Sequence, residues 1–172
     1  ELFPFNRFYG YHAGVDLEAS PLEQRAKVPV YAIYSGTIIY IGTLNGYGGV
    51  ILQKLDGENA TALYGHVKIK DLSFKVGDLI TVDNKPTVLT FLGDEFSQET
   101  SKERKHLHFG IYKGSQLYFR GHEDSLIQLL SKWHDPSKFL KDRKALSPVI
   151  EFSSKTPLQK SEKTVEKNSN FF

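Results

Sequence analysis

Six histidines stand in the chain, and His12, His66, His106 and His108 fall in patterns from which chemistry can be read. His106-Leu107-His108 lies in an apolar, strand-like run. The period of two in a strand puts both imidazoles on one face, with their Cα atoms roughly 7 Å apart. One ring of such a pair can bind a metal while the other reaches a ligand on that metal. The second pattern is His12-Ala13-Gly14-Val15-Asp16. A fully extended strand would separate His12 and Asp16 by roughly 13 Å, beyond the ~2 Å bonds that each must make to one ion. The chain must therefore bend between them, and Gly14, which has no Cβ, permits the bend. Taken singly, each pattern also reads as polar groups on a surface. Together they supply two His and one carboxylate with one His spare, which in a chain without Cys is a complete catalytic metal site.

Three protein ligands leave a fourth position open for water or substrate, as catalytic rather than structural zinc requires. Such an ion polarises a carbonyl and brings the pKa of water toward ~7. A general base must then lie close by, and the HExxH helix that supplies one in many metallopeptidases is absent. Histidine, with an unperturbed pKa of about 6.5, suits the task. His106 beside His108, and His66 in Leu63-Tyr64-Gly65-His66, are the candidates.

The elements that must position these groups read as short strands. Val28 to Tyr34 and Thr37 to Ile41 are rich in Val, Ile and Tyr, and Ser35-Gly36 between them is a hairpin signal. Gly46, Gly48 and Gly49 around Tyr47 mark the next turn, and Val50 to Leu55 resumes as a strand closed by Asp56-Gly57. Ala60 to Tyr64, Leu79 to Val82, Thr87 to Leu92, Leu107 to Tyr112 and Gln116 to Phe119 continue the pattern. The fold class expected is all-β, with antiparallel sheets packed around one core. One C-terminal helix is expected where Leu126, Ile127, Leu129, Leu130 and Trp133 recur at offsets of three and four, its apolar stripe covering a sheet edge or face. Asp135-Pro136 should end it, with Phe139 and Leu140 adding a last apolar contact. Residues 1–140 are expected to form the working domain. Residues 141–172, mildly basic and poor in apolar side chains, read as a flexible tail.

Composition narrows the partners. With 22 Lys plus Arg against 20 Asp plus Glu, the net charge is only +2, so no concentrated basic character points to nucleic acid. The absence of Cys removes disulfides, iron–sulfur ligation, Cys-rich zinc fingers and thiol catalysis together. No apolar stretch approaches the roughly 20 residues that span a bilayer. A chain that starts at Glu1 and has no Met is expected to lack a leader or upstream region, which leaves room for a further domain or anchor.

With these residues collected, the chain resembles the lysostaphin-type (LytM-like) zinc metallopeptidases that cleave peptidoglycan peptides. The resemblance covers about residues 4–140. It rests on His12 and Asp16, on Val30-Tyr31-Ala32 followed by Ser35-Gly36-Thr37-Ile38, on the Gly46-Tyr47-Gly48 turn, on Lys75-Val76-Gly77-Asp78 and on His106-Leu107-His108-Phe109. It implies that His12, Asp16 and His108 bind one zinc ion and that His66 and His106 are catalytic. It also implies an extracytoplasmic enzyme acting on cell-wall peptides. Glu18 could orient a ligand but is expected to face solvent, Tyr64 is expected to pack rather than to bond in the cleft, and His122 and His134 are expected to be surface or helix-flanking residues. The pattern is departed from ahead of HxH, where relatives carry a Gly- and Ser-rich loop but Asp94 to Lys105 is long, charged and without Gly. Gly49 stands where Asn is common.

Rival readings explain fewer of these residues. The facial triad of non-haem iron oxygenases uses the same ligand types but usually places His and Asp two apart. A cupin would want an acid shortly after HxH, and Phe109 to Gln116 contains none. A lipoyl-like carrier matches Val28 to Ile41 and the Val76-Gly77-Asp78 turn but not the five site residues. A catalytically inactive wall-binding or hydrolase-activating module of the same fold is the non-enzymatic alternative.

Overall fold

The computed structural model describes residues 10–83 and 85–142. In chain order the elements are β1 (Tyr11–His12), β2 (Val15–Glu18), β3 (Pro29–Tyr31), β4 (Gly36–Leu44), β5 (Gly48–Leu55) and β6 (Ala60–Gly65). There follow β7 (Leu79–Ile80), β8 (Val88–Phe91), β9 (His106–Lys113), β10 (His122–Glu123), α1 (Leu126–Lys132), β11 (Trp133–His134) and α2 (Pro136–Asp142). The main sheet runs β11-β9-β6-β5-β4-β7, and β2 shares with β11 the outer edge of β9. Both pair antiparallel with β9, as do β4 with β5, β5 with β6, and β6 with β9. Two-stranded ladders β3-β8 and β1-β10 complete the fold.

Strand β9 shows why the sheet carries a site on one face only. Its odd-numbered residues Leu107, Phe109 and Ile111 are fully buried among Val30, Ile33, Ile51, Ala62 and Tyr64. Each such side chain contributes about 1.5–3 kcal/mol by leaving water. The alternate residues His106, His108, Gly110 and Tyr112 point to the other face. There Tyr47, Val50, Leu52, Leu63, Tyr112 and Trp133 form a smaller cluster that leaves the two imidazoles at its margin. The expected all-β architecture is therefore present, matched to a polar stripe on one strand.

Four local expectations are corrected. Ser35-Gly36 does not close a hairpin: β3 pairs with β8, while Ser35 bonds Val82 through its hydroxyl (2.8 Å from the amide). Gln116 to Phe119 forms no strand, because Tyr118 is taken up by stacking on Tyr112 (4.5 Å) and donating to Glu123 (2.7 Å). The apolar repeat from Leu126 gives only the seven-residue α1, with no buried residue, and Trp133 leaves it to enter β11. Asp135-Pro136 does not end the first helix, which already stops at Lys132; Pro136 instead starts a second helix, whose Phe139 is buried in the main core. That helix runs to Asp142, and residues 143–172, which hold nearly all of the expected tail, lie outside the described residues.

Candidate active site

The site is assembled by the register of β2 on β9. Asp16 stands opposite His108 and Glu18 opposite His106, so these four side chains share one face. His12 arrives from β1, and the bend that brings it there falls at Gly14, whose φ of +151° lies in the region that favours glycine. A Cβ at Gly14 would sit 2.5 Å from the Phe109 carbonyl oxygen. The bend required between His12 and Asp16 is thus made where glycine alone fits.

The three expected ligands converge. His12 Nε2 lies 3.0 Å from His108 Nδ1, and Asp16 Oδ1 lies 3.3 Å from each of those nitrogens. Tetrahedral zinc with bonds of about 2.0–2.1 Å would hold its donors about 3.3 Å apart. The donor set therefore fits a single small divalent ion without rearrangement. Its charge state fits as well. Burial would raise the Asp16 carboxyl, but hydrogen bonds from His108 and His12 overcome this and hold it well below the usual carboxylate range. Burial lowers the pKa of His108 despite Asp16, keeping its ring neutral as a metal ligand must be.

His106 and His66 adjoin this triad on its open side, their ring centroids 4.2 Å apart. His106 Nδ1 lies 2.8 Å from the Arg104 carbonyl, which can only accept, so Nδ1 carries the hydrogen. The lone pair is then on Nε2, which faces the site 3.8 Å from Asp16 Oδ2. His66 follows β6 with φ of +62°, a left-handed conformation uncommon for a side-chain-bearing residue. Its backbone is held by the Tyr47 carbonyl (3.0 Å) and the Gly93 amide (2.8 Å). Burial and the neighbouring His106 lower its pKa to about 3, so it is a neutral imidazole.

Several residues join the site that the sequence did not assign to it. Tyr47, from the glycine turn, packs edge-on against His108 (5.0 Å) with its hydroxyl 3.5 Å from His108 Nε2. Burial raises its pKa, so the phenol keeps its proton. Arg104, two residues before His106, bonds both oxygens of Glu18 through Nε (2.9 Å each) and Asp16 Oδ2 through Nη2 (3.2 Å). Glu18, expected to face solvent only, is thus gripped by Arg104. His122, opposite His12 in the β1-β10 ladder, lines the same cleft of about 310 Å³. Tyr64 packs as expected, on the opposite face, with its hydroxyl donating to Gln53 (3.0 Å). His134, in β11 between the two helices in the chain, has its ring tilted at 52° to that of Phe139 (5.0 Å).

The charged loop ahead of HxH is built into the cleft. The Glu99 carbonyl accepts from the Gly49 amide (2.9 Å) and the Ser101 hydroxyl from the Gly46 amide (3.2 Å), which ties the loop to the turn bearing Tyr47. Gly49 itself has no room for the Asn common in relatives, because a Cβ would lie 1.9 Å from the Val67 carbonyl oxygen.

The fold is matched elsewhere. Residues 10–119 match the family model described as Peptidase family M23. The chain belongs to this family. Among solved structures, this M23 chain is similar to the catalytic domain of the antimicrobial peptidase lysostaphin from Staphylococcus simulans, at 26% identity and a TM-score of 0.53. That likeness covers 78% of this chain and 90% of that one. A second structure of lysostaphin from Staphylococcus simulans gives 25% identity and a TM-score of 0.56 over 90% of this chain and 55% of that one. LytU shares the fold at 22% identity and a TM-score of 0.55, over 81% of this chain and 79% of that one. No curated protein sequence matches the chain. No helix among the described residues is long and apolar enough to cross a membrane.

Proposed function

We propose that this M23 peptidase is a zinc-dependent endopeptidase that hydrolyses peptide cross-links or bridges of bacterial peptidoglycan. The observation that carries the reading is the triangle of donor atoms on His12, Asp16 and His108, with sides of 3.0, 3.3 and 3.3 Å, flanked by the paired imidazoles of His66 and His106. These three residues would hold the ion. When bound, zinc supplies Lewis-acid polarisation of the scissile carbonyl and makes water a nucleophile near neutral pH.

The protein's own groups supply the rest. His106 takes up a proton at Nε2, because the Arg104 carbonyl occupies its Nδ1 hydrogen. The uptake leaves a cation beside Asp16, whose second oxygen lies close enough to stabilise it. His66, kept neutral by its surroundings, donates a hydrogen bond to the negative charge that develops on the substrate. His108 uses Nδ1 as a ligand, so its Nε2–H points at the Tyr47 oxygen, which steadies the ring. Residues 1–140 form the catalytic unit in this reading, with 141–172 as an appended tail. A substrate in the cell wall places the enzyme outside the cytoplasm. The likeness to lysostaphin, a peptidase described as antimicrobial, supports the same assignment.

The test is mass spectrometry of purified cross-linked wall peptides incubated with the protein and one equivalent of zinc. Cleavage abolished by a chelator and restored by zinc is expected, and the fragment masses identify the bond. Zinc binding without cleavage of any cross-linked peptide would instead mark an inactive docking module.

A further inference from the structure

The residues that distinguish the cleft from an ordinary two-His-one-Asp triad are Arg104 and Glu18. Arg104 is half exposed, yet its guanidinium is committed on two sides. Nε and Nη2 grip Glu18, and Nη2 also reaches Asp16 Oδ2. Asp16 Oδ1 is the oxygen that meets His12 and His108. The two carboxylate oxygens are therefore divided between different tasks, one turned to the ligand triangle and one tied to the cleft wall. An Asp free to rotate could present both oxygens to an ion and close the position that substrate needs. A cation tied to Asp16 alone would compete with the metal for it. Glu18 removes that competition by balancing the Arg104 charge.

We propose that Arg104 is a positioning residue, anchored by Glu18, that fixes Asp16 to bind metal through Oδ1 alone. This rests on the reading of His12, Asp16 and His108 as metal ligands. The same Arg104 also holds His106 through its backbone carbonyl, so one residue orients both a ligand and the proton acceptor. Its place immediately before β9 makes this possible, since the charged loop delivers it to the face that carries both histidines.

Two conservative changes separate position from charge. Arg104→Lys keeps the cation but loses the planar fork that reaches two carboxylates at once. Glu18→Gln keeps the shape but leaves Arg104 unbalanced against Asp16 and the incoming ion. Zinc affinity is read by competition with a chromophoric chelator, and thermal unfolding of the metal-free proteins is read alongside. Both variants should unfold at the wild-type temperature, because the pair is exposed, and both should bind zinc roughly 10–100-fold more weakly. Zinc affinity equal to wild type in both variants would overturn the proposal. So would a lowered unfolding temperature with unchanged affinity, the mark of a merely structural ion pair. Failure of the wild-type protein to bind one zinc, with Asp16→Ala indistinguishable from it, would overturn the ligand assignment itself.

Discussion

Glu123 offers the sharpest test of how the fold supports the cleft. It lies in β10 next to His122, and its carboxylate, fully buried, accepts from Tyr118 (2.7 Å), Lys132 (2.9 Å) and Trp133 Nε1 (3.1 Å). These bonds tie β10, and through it β1 with His12, to α1 and β11. Glu123→Ala leaves the Trp133 indole N–H buried without its acceptor, which costs about 1–3 kcal/mol. Tyr118 and Lys132 reach solvent, so their lost bonds add less. The expected destabilisation is about 2–4 kcal/mol, or a fall in Tm of roughly 5–15 °C. Denaturant unfolding in chelator removes any contribution from metal binding. A loss below about 0.5 kcal/mol would refute the reasoning. The pH dependence adds a second condition. Burial pushes the Glu123 carboxyl up, but its three hydrogen bonds outweigh this and leave its pKa lowered. A carboxyl lowered on folding stabilises fully above its unfolded pKa, about 4.3 for Glu, and loses that contribution as pH falls through the folded value. The gap between wild type and Glu123→Ala should be constant above pH ~5 and shrink in stronger acid. A gap that widens toward low pH would contradict the sign.

Other outcomes bear on the chemistry. His106→Ala should keep one zinc, measured by metal analysis after gel filtration, while kcat falls about 10²–10⁴-fold; loss of the zinc would make His106 a ligand instead. Asp16→Ala should weaken zinc binding beyond the roughly 100-fold upper range expected for an outer partner such as Arg104, as read by competitive titration. Gly49→Ala places a methyl group 1.9 Å from the Val67 carbonyl oxygen and should cost about 1–3 kcal/mol in denaturant unfolding.

The parts legible in the sequence were those set by short-range geometry. HxH on a strand required both rings on one face, and a glycine between His12 and Asp16 announced a bend; both features are present as expected. The strands of the main sheet followed from runs of Val, Ile and Leu. What could not be read was set by partners distant in the chain. Ser35-Gly36 carries a hairpin signal, but β3 finds its ladder with β8, nearly sixty residues on. Trp133 continues a helical repeat in the sequence, yet it is drawn into β11 to pack over Gly110 and to donate to Glu123. Arg104 and Glu18 are separated by 86 positions, and each looks like an ordinary surface charge until the β2-β9 register brings them together. One signal was available: Arg104 lies two residues before His106, on the same side of an extended chain.

The most direct test is the anomalous diffraction of crystals grown with one equivalent of zinc, recorded on both sides of the zinc absorption edge. The expected result is one peak per chain about 2.0–2.2 Å from His12 Nε2, Asp16 Oδ1 and His108 Nδ1, with His66 and His106 outside bonding distance. No peak among those three atoms, or a peak bonded to His66 or His106 in place of one of them, would contradict the assignment of ligands and bases alike.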